Sequence, residues 1–361
     1  MSKDFFHVLS EEFFAVILIK VLNYCKPRRM KCIRLLSGHD MPIVGLGTWQ
    51  AKPEEIETAV STALKYGYKH IDTAFSYNNE EAIGQSLKKW FHNGGKREQI
   101  FITTKLPSYG NRASDVEKYL KLSLQNLGLE YVDMYLVHMP FAFKSDSTGK
   151  AVDIDADGKP ILDLDSEPIS LWKAMEEQVR KGRAKSIGLS NFNKEQVMNI
   201  WKNAQIKPSN LQIELHAYFQ QKELQNFCKE YKIALTAYSP IGSPGAKAHF
   251  QLKYNYSCDN FPNLLNDSIV NKIAEDHKKS VAQILLRHLV QKDIIVIPKS
   301  SSPERIKLNV ELFDFELTEK EMSAIDALDK GSNGRIFTFL FFKGIEKHPQ
   351  YPFTSELKQE A

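Results

Sequence analysis

Four side chains between residues 72 and 138 have the types and spacing for proton chemistry. Asp72, Lys105 and His138 follow one another at intervals of 33 residues, and Tyr77 comes five residues after Asp72 in IDTAFSY (71–77). No nucleophilic Ser or Cys belongs to the set. A tyrosine near its reference pKa of about 10 is a poor proton donor to a carbonyl. A lysine cation beside it favours the phenolate and makes the phenol a stronger acid, and a carboxylate keeps that lysine charged and oriented. Asp72–Lys105–Tyr77 thus reads as a chain that tunes one hydroxyl, with His138 orienting a carbonyl oxygen or sharing the proton. Such a set suits protonating an alkoxide as a hydride arrives, which implies a nicotinamide cofactor.

The elements that must position these residues are legible from residue 40 to about 313. Short β-rich runs alternate there with amphipathic stretches: PIVGLG (42–47), YKHID (68–72), IFITTK (100–105), YVDMYLVH (131–138), AKSIGLS (184–190), NLQIEL (210–215), IALTAYS (233–239) and DIIVIPK (293–299). In PEEIETAVSTALKYG (53–67) Ile56, Ala59, Val60, Ala63 and Leu64 keep one helical face apolar. Eight strand–helix units predict an α/β chain closed into a (β/α)8 TIM barrel, more naturally than an open doubly wound sheet. Asp72, Lys105 and His138 each end a predicted strand, and barrel active sites sit at that end. Taken singly, each residue has a plainer explanation: a buried Asp72–Lys105 ion pair, a loop tyrosine, a satisfied strand-end histidine. Their shared placement decides for catalysis.

A cofactor site is less obvious. GLGTWQ (45–50) starts like a dinucleotide fingerprint but ends in Gln50, and no acidic residue follows at the distance a ribose needs. IPKSSSPERIKLN (297–309) offers more, because it leaves a strand and opens a helix. Lys299, Ser300, Ser301 and Ser302 surround the expected N-terminus, with Pro303 at its first position and Arg305 one turn in. Free N–H groups, hydroxyls and two cations make an anion site, and the last strand is where barrels commonly bind phosphate. An ordinary serine cap would explain Ser302 but not the cluster.

The whole chain sets the frame. Its 361 residues, 42% hydrophobic and 25% charged, support a sizeable core and exclude disorder and a multi-span membrane protein. The net charge of +4 is interspersed, which gives no case for a nucleic-acid partner. Cys25, Cys32, Cys228 and Cys258 have no metal-like spacing, so no metal is expected and a reduced, cytoplasmic setting fits. Residues 1–30 read as an N-terminal extension, unstructured or partly helical. The apolar run 13–22 is too short to span a bilayer, which takes about 20 residues. No stable membrane insertion is expected, although KPRRMK (26–31) could favour an anionic surface. The barrel is expected over 31–330 and a specificity tail over 331–361, in a monomer.

From about Lys31 to Phe353 the chain resembles the aldo-keto reductase family. The motifs are LQNLGLEYVDMYLVH (124–138), KSIGLSNF (185–192), QIELH (212–216), AYSPIG (237–242) and IPKS (297–300), in the family's order. The resemblance implies a (β/α)8 barrel and a catalytic tetrad of Asp72, Tyr77, Lys105 and His138, with Tyr77 as proton donor. It also implies that Ser190, Asn191 and Gln212 hold the nicotinamide carboxamide and that Tyr238 stacks on the ring. Ser239, Ile241 and Ser243 would meet the pyrophosphate. Lys299, Ser300, Ser302 and Arg305 would hold a 2′-phosphate and Asn309 the adenine, with Gly47, Thr48, Trp49 and Ser301 completing the cofactor contacts. Two cations at a 2′-phosphate favour NADP(H) over NAD(H).

The departures touch the substrate side, where Trp49, Tyr77, His138 and Met139 are expected. Met139 stands where related reductases usually carry Trp, which makes for a more adaptable pocket. Leu308 replaces a common Glu before the adenine-binding Asn309, and Pro107 lies where a pocket tryptophan is common. Loops 139–169 and 240–264 and the tail with FTFLFF (337–342) would shape specificity. The expected activity is NADPH-dependent reduction of aldehydes and ketones. The alternatives are a narrow sugar or steroid-type ketone reductase and a catalytically slow NADP-binding module. A sugar-phosphate isomerase is disfavoured, since proton abstraction usually employs a Glu or His base.

Overall fold

The computed structural model describes residues 31–256 and 261–357. The readings made for residues 1–30, Cys25 and Cys258 lie outside the described residues. Eight parallel strands follow one another in chain order: β3 (Leu46–Gly47), β4 (His70–Asp72), β5 (Phe101–Leu106), β6 (Val132–Val137), β7 (Ala184–Ser190), β8 (Asn210–Glu214), β9 (Ala234–Tyr238) and β10 (Ile295–Val296). Parallel bridges Val44–Val296 and Gly47–Lys299 close the last strand onto the first. The expected (β/α)8 barrel is what forms.

The seam between β3 and β10 explains the glycines of GLGTWQ. The Gly45 and Gly47 amides donate to Val296 O at 2.9 Å and Pro298 O at 3.1 Å. A Cβ on Gly47 would meet Ile297 O at 2.5 Å, and one on Gly45 would meet the His70 ring at 2.4 Å. Close approach of two backbones and one buried imidazole requires these glycines. The seam strands are two residues each rather than the six or seven expected. Pro42 and Pro298 lack the N–H groups that a longer ladder would use.

A hairpin of β1 (Cys32–Arg34) and β2 (Asp40–Pro42), absent from the sequence reading, closes the N-terminal end of the barrel. Its Met41 is fully buried beside Asn210, the first residue of β8, and Ser37 Oγ lies 2.6 Å from Ser186 Oγ.

Helices return the chain between strands. The stretch expected at 53–67 forms α1 (Pro53–Lys65), with Pro53 at its first position, the Glu55 side chain accepting from Lys52 N, and Ile56, Ala59, Val60 and Ala63 buried. Gly67 in the left-handed region (φ 87°) then redirects the chain. The other helices are α2 (Glu80–His92), α3 (Val116–Leu127), α4 (Pro168–Arg180), α5 (Lys194–Asn203), α6 (Lys222–Glu230), α7 (Ala246–Tyr254), α8 (Ser268–His277), α9 (Val281–Gln291), α10 (Pro303–Val310), α11 (Glu319–Asp326) and α12 (Thr354–Leu357). Ile71 and Ile102, partners across β4 and β5, are fully buried in the main core. Truncating either to alanine costs about 2–5 kcal/mol at such sites. None of the helices among the described residues is long and apolar enough to cross a membrane.

Candidate active site

Strand register accounts for the 33-residue interval. Asp72 pairs with Thr103, and Lys105 stands two residues further on the same face of β5; Lys105 pairs with Leu136, and His138 stands two residues further. Each step is therefore one strand of the barrel plus two residues of climb, with all three side chains on the barrel's inner face. Tyr77 ends the short turn Phe75–Tyr77 that follows β4.

The four groups meet at the strand ends. Lys105 Nζ donates to Asp72 Oδ1 at 2.5 Å, to Thr73 O at 2.8 Å and to Tyr77 Oη at 3.4 Å. Gln212, on β8 across the barrel, donates from Nε2 to Asp72 Oδ2 at 2.7 Å. Both oxygens of this buried carboxylate are thus satisfied. His138 stands edge-on to Tyr77 with ring centroids 5.6 Å apart, its Nδ1 3.4 Å from Ser76 Oγ.

Burial governs the protonation of the set. It pushes the Tyr77 phenol above its ordinary value, with Lys105 opposing that rise and Asp72 adding to it. The sequence reading had Lys105 making Tyr77 a stronger acid; desolvation outweighs the cation, and the net direction is upward. Burial pulls Lys105 down, but Asp72 and Tyr77 together more than offset it, so the ammonium is held above its usual range. Burial, helped by the Lys105 charge, keeps His138 well below the usual imidazole range, hence neutral at pH 7. The result is a protonated phenol beside a cation and a neutral imidazole.

Asn191 adopts a left-handed backbone (φ 66°) after β7 and ties neighbouring loops together. Its Nδ2 donates to His138 O at 2.9 Å, with Ser190 Oγ and Met139 Sδ also in reach, and its Oδ1 accepts from Tyr238 Oη at 2.8 Å. Thr48 Oγ1 donates to Asp72 O at 2.9 Å.

A cavity of about 1110 Å³ opens over this floor. Gly47, Thr48, Trp49, Asp72, Tyr77, His138, Met139, Ser190, Asn191, Gln212 and Tyr238 line it. It continues past Ser239, Ile241 and Ser243 to Lys299, Ser300, Ser301, Arg305, Leu308 and Asn309. Lys105 lies beneath the lining, and Ser302 is off it, partly exposed, capping α10 by accepting from Arg305 N. Pro107 is not on the wall; its neighbours Ser108 and Tyr109 are. The tail supplies Phe337, Phe339, Phe341 and Phe342, and α7 supplies Phe250 and Tyr254. Phe250 stacks on Phe341 at 4.7 Å, so the loop after β9 and the tail share one aromatic wall. Gln50 and Tyr109 also line the cavity though the sequence did not single them out, Tyr109 being an aromatic residue just past the end of β5; Val152 and Ile154 line it from the loop 139–169 expected to shape specificity.

The far end of the cavity suits an anion. Burial holds the Lys299 ammonium below its ordinary range, and the nearby Arg305 adds to that effect while Glu55 opposes it. Neither cation makes an ion pair among the described residues. Arg305 Nε lies 3.4 Å from Ser300 Oγ beside the α10 N-terminus. A half-buried ammonium beside a second cation and a helix N-terminus is relieved by a bound phosphate group. The residues at this end therefore fit a phosphate-bearing group.

The fold is a (β/α)8 barrel with an acid/base cluster at its strand ends. The sequence model of the Aldo/keto reductase family matches residues 43–330, and the chain belongs to that family, whose members act on carbonyl compounds. It is 40% identical over 327 residues to Aldo-keto reductase family 1 member A1 of Xenopus tropicalis, covering 88% of this chain and 96% of that one. The Homo sapiens protein of the same name is 39% identical over 330 residues, covering 89% and 98%. The solved aldose reductase of Schistosoma japonicum superposes with a TM-score of 0.80 at 39% identity, covering 91% of this chain and all of that one.

Proposed function

We propose that this chain is a cytoplasmic, monomeric NADPH-dependent reductase of aldehydes and ketones. The observation that carries the reading is the single cavity joining the Asp72–Lys105–Tyr77–His138 floor to the Lys299–Arg305 cations. When bound, the nicotinamide supplies a hydride to the carbonyl carbon. Tyr77 donates its proton to the carbonyl oxygen as negative charge develops there, and the Lys105 cation, anchored by Asp72, stabilises the phenolate left behind. Neutral His138 orients the carbonyl oxygen by a hydrogen bond from the nitrogen not facing Ser76. Ser190, Asn191 and Gln212 hold the carboxamide, Tyr238 faces the ring, and Ser239, Ile241 and Ser243 line the path of the pyrophosphate. Lys299, Ser300 and Arg305 take the 2′-phosphate, Ser302 caps the helix beneath it, and Asn309 takes the adenine. The aromatic wall favours apolar carbonyl compounds over polyhydroxylated sugars, whose hydroxyls would lose water without gaining partners.

The charge argument has a direct test. Lys299→Ala with Arg305→Ala is expected to weaken NADPH at least about 30-fold, two charged hydrogen-bonding groups being lost, while changing NADH affinity by less than about threefold. Fluorescence titration of both cofactors measures this. Equal weakening of the two would remove the 2′-phosphate assignment.

A further inference from the structure

Glu214 has no place in the chemistry above. It ends β8 two residues beyond Gln212, its side chain fully buried, and it is not part of the cavity wall. Its Oε1 accepts from the Ile336 amide at 2.7 Å and lies 3.0 Å from His216 Nε2, while Oε2 accepts from the Phe337 amide at 2.9 Å. A buried carboxylate persists when donors meet both of its oxygens. Here two of those donors belong to the tail, more than 120 residues further along the chain.

What the clamp holds is the wall of the pocket. The Phe337 ring stands edge-on to Trp49 at 5.4 Å, to Tyr238 at 5.3 Å and to Phe250 at 5.4 Å, and all four rings line the cavity. Other ties keep the rest of the tail docked: Arg335 pairs with Glu356 at 2.6 Å, and Asn193 Nδ2 donates to Pro352 O at 2.9 Å. Losing Glu214 would therefore free residues 336–337 locally.

We propose that Glu214 is a positioning residue for substrate selectivity: by gripping the amides of Ile336 and Phe337, it fixes the Phe337 ring as the wall against which a flat, apolar carbonyl compound packs. This rests on the reductase reading above. The clamp acts on the bulky part of the substrate and not on the reacting carbonyl, so it governs KM for large apolar substrates and leaves the chemical step alone.

The test compares the wild type with Glu214→Gln, Phe337→Ala and the double variant. Glutamine keeps the shape but offers one oxygen where two amides need acceptors. Amide exchange at residues 336–337 is read by mass spectrometry. Steady-state constants with NADPH are measured for a naphthyl aldehyde and for propanal. In Glu214→Gln, exchange at 336–337 should quicken at least about tenfold and KM for the naphthyl aldehyde should rise about tenfold, the loss expected for a charge-assisted hydrogen bond. The kcat values and the propanal KM should stay within about twofold. Phe337→Ala should show the same KM split without the change at residue 336, and the double variant should be no worse than either alone. Unchanged exchange, or KM rising alike for both aldehydes, would overturn the proposal. If Glu214→Gln does not fold, Phe337→Ala decides: no KM split overturns it. A wild type that reduces neither aldehyde would instead overturn the reductase reading, with the exchange arm still testing the clamp.

Discussion

Replacing Tyr77 by phenylalanine is expected to lower kcat by about three orders of magnitude, within the range that a positioned general acid contributes. The substitution removes one oxygen at the cavity floor and leaves the ring contact with His138 in place. NADPH affinity should stay within about twofold, because no proposed cofactor contact is removed. Isothermal titration for binding and steady-state turnover with an apolar aldehyde separate the two effects. A Phe variant with wild-type turnover would end the proton-donor assignment. The protonation pattern adds a condition. Burial holds the phenol above its ordinary value, so Tyr77 carries its proton throughout the neutral range. His138, held well below the imidazole range, is uncharged there too.

The second large effect belongs to Lys105. It is fully buried, and Asp72 beside it is nearly so. Lys105→Met leaves the Asp72 carboxylate with Gln212 as its remaining side-chain donor. Removing one partner of a buried pair typically costs about 3–5 kcal/mol, because the other charge stays buried and uncompensated. Urea unfolding should register that loss, and turnover should fall with it, since the phenolate left on Tyr77 loses its cation. Asp72→Asn added to Lys105→Met should restore most of the stability and none of the turnover. The pH dependence has a definite sign. Lys105 is raised in the folded state, so its contribution is fully present below the ordinary lysine range and is lost as pH rises through the folded value. A Lys105→Met protein as stable as the wild type would contradict the buried-pair description.

How much of this was legible in the sequence depended on whether the signal was local. The strand-end residues were, because a parallel barrel repeats at nearly constant spacing and its register adds a fixed two-residue climb. The cations at Lys299 and Arg305 were, because a proline and serines mark the start of α10 within a few positions. GLGTWQ was ambiguous: glycines serve close backbone approach at a barrel seam as readily as at a phosphate, and only the packing of Ile297 and His70 tells which. The β1–β2 hairpin was missed because its three-residue strands carry no alternation long enough to read. The net direction of the Tyr77 shift was not legible for a related reason. A lysine neighbour can be inferred from spacing, but desolvation depends on what covers the group. The aromatic wall was only half visible: FTFLFF announced itself, while its partners Phe250 and Trp49 and its anchor Glu214 lie far away in sequence.

The most direct measurement mixes the purified protein with NADPH and an apolar aromatic aldehyde and follows the reduced-nicotinamide absorbance alongside the alcohol formed. The account expects one NADPH consumed per alcohol produced, with NADH a weaker donor. Tight NADPH binding without alcohol formation, or no NADPH binding at all, would contradict it.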